Sequence, residues 1–179
     1  MGIVEELRAS HPQYSEPVPI TQEHQLAAFD CGKPPLNDFL RRRALKNEGP
    51  ASRTYVVASQ TGTDAGQVVA FYSLAAGAVQ RPDLRPKLAR NMPNPTPLMV
   101  LGRMAVDLDH RGRHLGSGML RHALQRCIEA NQRFGAAAII VHAIDADAVT
   151  FYTQFGFEEF PTGQRTLFLP MTRVIASLT

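Results

Sequence analysis

The chain has 179 residues, a formal net charge of +3 and a hydrophobic content of 44%. This length suits one domain over 1–179 with a substantial core, and the composition is ordinary for a globular protein. No window approaches the roughly 18 apolar residues that a membrane span needs. The first residues lack the apolar run of a signal peptide. We therefore expect a cytoplasmic protein without a membrane span.

The cysteine content is too low for a disulfide framework. Cys31 and Cys127 are the two cysteines, and we expect both to be reduced thiols. No cluster of cysteine and histidine has the spacing of metal ligands, so no metal is predicted. The modest positive charge permits an acidic partner without requiring one.

The N-terminal half is predicted to hold a peripheral arm, a strand, a helix and a hairpin. Pro34 and Pro35 stand where helices favour starting, ahead of apolar residues at helical spacing. Two runs of β-branched and aromatic residues then flank a glycine-bearing turn, and this pattern predicts a β-hairpin. The predicted elements are arm 1–17, strand 18–21, a short helix or turn at 23–30, helix 36–47, and hairpin strands 53–59 and 67–78.

Basic residues are concentrated in two segments. One is the outer face of helix 36–47, and the other is the proline-rich segment 81–97. A solvated face is the usual outcome for such runs, and a surface that contacts phosphates is the alternative. The residues are Arg41, Arg42, Arg43 and Lys46 in the first segment, and Arg81, Arg85, Lys87 and Arg90 in the second.

The stretch 98–120 combines a strand, a polar turn and the start of a helix. An apolar run predicts a buried strand that ends at Val106, and spacings of three and four predict a helix over 116–131. The first N–H groups of a helix lack internal acceptors, and Gly116 and Gly118 let a phosphate approach them. The turn is therefore a candidate anion site. The alternative is a plain turn whose glycines ease packing.

A second stretch repeats this order nearer the C-terminus. Residues 136–142 predict a short strand, and 145–155 predict a short helix that ends at Gly156. Tyr152 lies within this helix. A last strand is predicted over 165–171, followed by a short turn or helix.

These two stretches resemble the GNAT superfamily of N-acetyltransferases. The pattern Arg113-x-x-Gly116-x-Gly118 after a Val-Asp strand end is similar to the family's loop for the pyrophosphate of acetyl-CoA. The string from Phe151 to Phe157 is similar to its C-terminal motif. The resemblance implies an α/β (α+β) fold, with a mixed central sheet flanked by helices on both faces. Splayed strands would form the acetyl-CoA cleft, and acetyl-CoA would be the acetyl donor.

The resemblance also implies the residues of the site. Tyr152 would protonate the departing thiolate, since a phenol with a pKa of about 10 is protonated at neutral pH. The alternative is that Tyr152 only packs beside Phe155 and Phe157. No general base is evident. The implied acetyl-CoA-binding residues are Met104, Ala105, Val106, Arg111, Gly112, Arg113, His114, Leu115, Gly116, Ser117 and Gly118.

Two further strings resemble a narrower branch, the acetyltransferase toxins of type II toxin–antitoxin systems. They are Phe29–Gly32 with Leu36–Leu40, and Gly102–Asp107; Phe39 stands where many members have tryptophan. This resemblance implies acetylation of the α-amino group of aminoacyl-tRNA, which blocks translation. It also implies a ribbon-helix-helix antitoxin that binds DNA, and it leaves a homodimer open.

The charge pattern fits an RNA substrate, because cationic side chains contact phosphates. For Arg103 the alternative is an ion pair with a carboxylate such as Asp107 or Glu158. Other functions stay open: acetylation of a small-molecule amine or a protein N-terminus, or a non-catalytic protein with a degenerate cleft. The predicted tRNA contacts are Arg41, Arg42, Lys46, Arg85, Arg90 and Arg103.

Overall fold

The computed structural model describes residues 13–161 and 165–178. Within these residues, seven strands form one mixed sheet in the order β1-β2-β3-β4-β5-β7-β6. The predicted mixed α/β class is therefore confirmed. The strands are β1 Val18–Pro19, β2 Arg53–Ala58, β3 Val68–Val79, β4 Thr96–Val106, β5 Ala138–His142, β6 Glu158–Glu159 and β7 Thr166–Pro170.

Helices accompany this sheet, and none in the described part of the chain is long and apolar enough to cross a membrane. The helix predicted at 36–47 is present, but its middle turn is π-helical. Short 3₁₀ turns lie at Arg81–Asp83 and Leu108–His110. The helices are α1 Pro34–Asp38, the π-helical segment Phe39–Arg43, α2 Ala44–Asn47, α3 Pro86–Ala89, α4 Leu115–Asn131, α5 Ala146–Gln154 and α6 Met171–Leu178.

The chain divides into two compact units. Unit 1 comprises residues 1–74, described from residue 13, and 103–123. Its strands pair antiparallel, with Val18 opposite Val56 and Val56 opposite Phe71. Apolar side chains from the strands and the helical segment form one buried core. Its members are Ile20, Phe29, Cys31, Phe39, Leu40, Ala44, Val56, Val68, Phe71 and Ala105.

Residues 13–17, the described part of the predicted arm, are fixed to the edge of the sheet. Tyr14 is buried and forms an antiparallel bridge with Ser59. The N–H of Ser15 donates to the carbonyl of Ala58 at 2.9 Å. These residues therefore continue the edge of the sheet beside β2, and the predicted peripheral arm stays a prediction. Residues 1–12 lie outside the described residues.

Unit 2 comprises residues 75–102 and 124–179. β4 and β5 pair in parallel from Met99 opposite Ile139 to Leu101 opposite Val141, and β4 itself continues to Val106. The predicted separation of these strands beyond that pairing stays a prediction, as does the single domain. β7 pairs antiparallel with β5 and β6. The core consists of Leu84, Leu98, Ala138, Ile140, Phe160 and Phe168.

Both cysteines are buried free thiols, as their number predicted. Burial raises the pKa of Cys31, and it raises the pKa of Cys127 to about 12. Both are therefore protonated at neutral pH.

Candidate functional site

The turn between β4 and α4 belongs to unit 1 and is fixed at its first residue. The carboxylate of Asp107 accepts hydrogen bonds from the N–H groups of Asp109, at 3.0 Å, and Asp30, at 2.9 Å. In return the N–H of Leu108 donates to the carbonyl of Asp30 at 2.9 Å. The strand end is thereby fixed to the segment Phe29–Gly32.

That segment is held in turn by Asn37 of α1. Oδ1 of Asp30 accepts from the N–H of Gly32 at 2.8 Å and from Nδ2 of Asn37 at 2.9 Å. The Gly32 hydrogen bond, followed by that of Asn37, lowers the pKa of Asp30. Oδ1 of Asn37 accepts from the N–H of Cys31 at 2.9 Å. The two strings that resemble the toxin branch are thus joined in one hydrogen-bond network.

Two arginines of the turn bind protein oxygens. Nη2 of Arg111 donates to the carbonyl of Cys31 at 2.8 Å. Nη1 of Arg113 donates to Oη of Tyr14 at 2.8 Å and to Oε1 of Gln13 at 3.5 Å. Both guanidinium groups therefore anchor the turn, and an anion bound there would be held mainly by backbone N–H groups.

A chain of polar groups continues behind Tyr14. Its Oη lies 2.8 Å from Nδ1 of His110, and Nε2 of His110 lies 2.5 Å from Oδ2 of Asp64. A guanidinium can only donate, so the Tyr14 oxygen accepts a hydrogen bond from Arg113, and the Tyr14 O–H donates one to Nδ1 of His110. His110 then donates from Nε2 to Asp64. Sequence reasoning found His110 in the turn but missed Tyr14 and Asp64.

Burial on its own would raise the pKa of Asp64. Hydrogen bonds from its backbone N–H and from His110 outweigh that effect, and the pKa is lowered. Asp64 is therefore ionised at neutral pH and terminates the chain as an acceptor.

The backbone of the turn passes twice through the left-handed region. φ is +74° at Gly112 and +61° at His114, and such a value is uncommon for a side-chain-bearing residue. The first described helical bond runs from the N–H of Gly118 to the carbonyl of His114 at 3.0 Å. Gly116 and Gly118 therefore lie in the first turn of α4, as predicted.

The start of α4 suits a pyrophosphate. Its first N–H groups have no acceptor within the helix. The helix dipole adds only about 0.3–1 kcal/mol per exposed charge, whereas a hydrogen bond to a charged group is worth about 1.5–3 kcal/mol. For an anion at the start of α4, the backbone N–H groups would therefore contribute more than the helix dipole. Met104, Ala105 and Val106 lie directly before this turn on β4.

Tyr152 lies in α5 of unit 2 and is buried. Its ring packs at 5.2 Å from Phe151 and 5.5 Å from Phe157. The carboxylate of Asp145 caps this helix by accepting from the N–H of Ala148 at 2.9 Å. Burial raises the pKa of Tyr152 above its usual value, so the phenol is protonated at neutral pH.

Arg103 does not take the ion pair suggested by the sequence. Its guanidinium carbon lies 4.1 Å from the ring centroid of Phe39, and no carboxylate within the described chain is at ion-pair distance from it. The oxygens of Asp107 accept from backbone N–H groups. Glu158 pairs with Arg85 at 3.2 Å and Arg173 at 2.5 Å. The aromatic ring, rather than an acid, is therefore the described contact of Arg103.

The other predicted tRNA contacts of unit 1 differ in their contacts with other protein groups. Arg41 donates to the carbonyl of Phe29, so part of its role is structural. Arg42 is exposed and lies 3.9 Å from Asp38. Lys46 is exposed on α2.

In unit 2, Arg85 also has internal partners. It donates to the carbonyl of Glu159 at 3.1 Å, beside its ion pair with Glu158, and lies over the ring of Phe168 at 5.5 Å. Arg90 is exposed and lines a cavity of about 770 Å³ together with Arg85 and Arg173. The sequence offered no sign of the Arg85 contacts, because its partners lie more than seventy residues away.

The order of strand, glycine-bearing anion turn, helix, strand and tyrosine-bearing helix is that of a GNAT acetyltransferase. A profile of the acetyltransferase (GNAT) domain matches residues 50–159, and the chain belongs to this family. The family predicted from the two motifs is confirmed.

Named relatives narrow the comparison. The chain is 42% identical over 159 residues to the tRNA-acetylating toxin of Mycobacterium tuberculosis (strain ATCC 25618 / H37Rv), over 88% of this chain and 93% of that protein. It resembles the structure of AtaT complexed with acetyl-methionyl-tRNAfMet, with a TM-score of 0.82 and 25% identity. The match covers 93% of this chain and 99% of that AtaT chain. It also resembles a tyrosine-to-phenylalanine mutant of AtaT bound to the C-terminus of the antitoxin AtaR and acetyl-CoA, with a TM-score of 0.75 and 25% identity. That match covers 93% of this chain and 99% of the mutant AtaT chain.

Proposed function

We propose that this protein is an acetyl-CoA-dependent N-acetyltransferase toxin that acetylates the α-amino group of aminoacyl-tRNA and blocks translation. The observation that carries the proposal is the 42% identity to a tRNA-acetylating toxin over 88% of the chain. The network linking Asp30, Asn37 and Asp107 supports it, because it joins the two strings that resemble this branch.

The turn at the start of α4 would hold the acetyl donor. Acetyl-CoA supplies an activated thioester when bound. The backbone N–H groups of residues 113–118 would bind its pyrophosphate, aided by the helix dipole. Residues 104–106 of β4 would hold its pantetheine arm through their backbone. Arg111 and Arg113 already hold the turn in its conformation, so binding of the donor would cost little additional conformational entropy.

Tyr152 would act as the general acid at its Oη. Burial raises its pKa, which keeps the proton in place throughout the physiological range. A thiol has a pKa of about 8.5, so the phenol is the weaker acid. Tyr152 therefore stabilises the developing negative charge by hydrogen bonding and releases its proton only as the bond to the leaving group breaks.

The amine needs little help from a base. An α-amino group has a pKa of about 7.7–8.0, against about 10.4 for lysine. A useful fraction is therefore neutral at physiological pH. The exposed cations Arg42, Lys46 and Arg90 would contact tRNA phosphates, joined by Arg41, Arg85 and Arg103.

We further infer the partners and the compartment. A ribbon-helix-helix antitoxin would cover the toxin and bind DNA, consistent with the antitoxin AtaR in the AtaT complex. The protein would act in the cytoplasm, where aminoacyl-tRNA is found, and a homodimer stays open.

The test is mass spectrometry of reaction products. Purified protein is incubated with acetyl-CoA and each of three acceptors: a pool of charged tRNA, small-molecule amines and peptides with free N-termini. We expect N-acetylated aminoacyl-tRNA. Preferential acetylation of an amine or peptide would favour the alternative acetyltransferase, and no transfer to any acceptor would indicate a non-catalytic protein.

A further inference from the structure

Two arginines of unit 1 share one buried aromatic ring. The guanidinium carbon of Arg103 lies 4.1 Å from the ring centroid of Phe39, and that of Arg43 lies 5.9 Å from the same centroid. Phe39 is 1% exposed and stacks on Phe71 at 6.0 Å. One side of the half-buried Arg103 guanidinium therefore faces an apolar ring that shields it from water, and the exposed Arg43 lies farther from the same ring.

Within the described residues, neither Arg43 nor Arg103 has a carboxylate at ion-pair distance, so this pair of charges lacks a compensating acid there. Arg42 and Arg53 of the same unit do have one, with Asp38 at 3.9 Å and Glu48 at 3.5 Å. Burial, and then the charge of Arg43, lowers the pKa of Arg103. Like charges in a partly dehydrated place are unfavourable unless an anion joins them.

The two arginines lie on different secondary-structure elements. Arg43 and Phe39 bound the π-helical segment, and single π-helical turns often occur at functional sites. Arg103 lies on β4, directly before the residues proposed to hold the acetyl donor. The pair is therefore not part of an ordinary charged helix face.

We propose that Arg43 and Arg103 together bind one phosphate of the tRNA substrate, close to its aminoacyl end. This inference rests on the proposed function. A guanidinium offers parallel N–H donors that match phosphate oxygens, and two of them would neutralise the anion from two sides. Phe39 fixes the Arg103 guanidinium so that it need not be ordered on binding. The proposal adds Arg43 and Phe39 to the substrate site and gives Arg103 a defined ligand.

The test measures binding of the full chain to uncharged tRNA by fluorescence anisotropy between 50 and 200 mM salt. Arg43→Gln and Arg103→Gln should each weaken binding about tenfold or more, as expected for a lost charged hydrogen bond. In the double variant, which loses the whole phosphate contact, the slope of log affinity against log salt should become shallower by about 0.7–0.9. The double variant should lose less than the two single losses combined, because both side chains bind the same phosphate.

Two controls separate this role from folding. Arg53→Gln removes an arginine that Glu48 already compensates, and it should leave tRNA affinity unchanged. Arg103→Lys keeps the charge, so it should show the salt slope of the wild type. Its tRNA affinity should lie between those of Arg103→Gln and the wild type. Acetyl-CoA affinity, measured by calorimetry, should be unchanged in every variant.

Other outcomes would overturn the inference in distinguishable ways. Weaker acetyl-CoA binding with normal tRNA binding would assign the anion to the phosphates of the donor. Unchanged affinity for both ligands would leave the arginines as a solvated pair. If wild-type protein acetylates charged tRNA while the variants retain its KM, the inference fails and the proposed function stands. If wild-type protein acetylates no aminoacyl-tRNA, both fail.

Discussion

Arg113 donates a hydrogen bond from Nη1 to the phenol oxygen of Tyr14 at 2.8 Å, across 99 residues of sequence. The bond ties the anion turn to the segment that precedes β1. The same phenol oxygen lies 2.8 Å from His110, so one hydroxyl serves both groups. A turn held in this way is ordered before a ligand arrives, which lowers the entropic cost of binding.

Tyr14→Phe should weaken that order. The change removes the acceptor of Arg113 and the donor to His110 while leaving the ring. We expect a loss of about 1–2 kcal/mol in the free energy of unfolding and a severalfold weaker affinity for acetyl-CoA. Thermal unfolding and calorimetric titration are the measurements. Tyr55→Phe is the control, because within the described chain its ring only stacks on Tyr72 and His122. Equal effects of the two variants would show that Tyr14 does not stabilise the turn.

Gly112→Ala should strain the same turn. φ is +74° at Gly112, and an added Cβ would meet nothing within 4 Å. The expected cost of about 1–2 kcal/mol is therefore conformational rather than steric. Gly135 is the matched control, since its added Cβ is equally free and its φ lies outside the left-handed region. Gly135→Ala should be neutral or stabilising by about 0.4–1 kcal/mol. Denaturant unfolding compares the two, and equal stability would contradict the strain.

The Asp64 carboxylate should give stability a defined pH dependence. Its pKa is lowered in the folded protein, so its contribution is fully present above the unfolded pKa of about 3.9. That contribution is lost as the pH falls through the lower folded value. In urea unfolding, the stability difference between wild type and Asp64→Asn should shrink as the pH falls below about 5. A difference that does not shrink over that range would contradict the lowered pKa of Asp64.

The elements that the sequence predicted well are those with local signals. β4 and α4 follow from an apolar run and from helical spacing within neighbouring residues, and Gly156 marks the end of α5 as expected. β6 has two residues, too few to produce any periodicity. The π-helical turn at Phe39–Arg43 leaves the apolar pattern nearly unchanged, so sequence could not distinguish it.

The contacts that the sequence could not predict join distant segments. Tyr14, Asp64 and His110 meet only because the edge of the sheet, the hairpin turn and the anion turn lie side by side in unit 1. The alternative ion pair of Arg103 is not formed in the described chain for a related reason: its guanidinium lies over a ring from an earlier helix, and the carboxylate of Asp107 accepts from backbone N–H groups.

Single-turnover acetylation of aminoacyl-tRNA by wild type and Tyr152→Phe, at saturating acetyl-CoA, tests the central claim most directly. The variant keeps the ring that packs on Phe151 and Phe157, so folding and acetyl-CoA affinity should survive. Wild-type protein should acetylate the α-amino group, and the variant should do so roughly 10²–10⁴-fold more slowly. A variant rate within a fewfold of wild type would contradict the role of Tyr152, and the absence of acetylated aminoacyl-tRNA with wild-type protein would contradict the function itself.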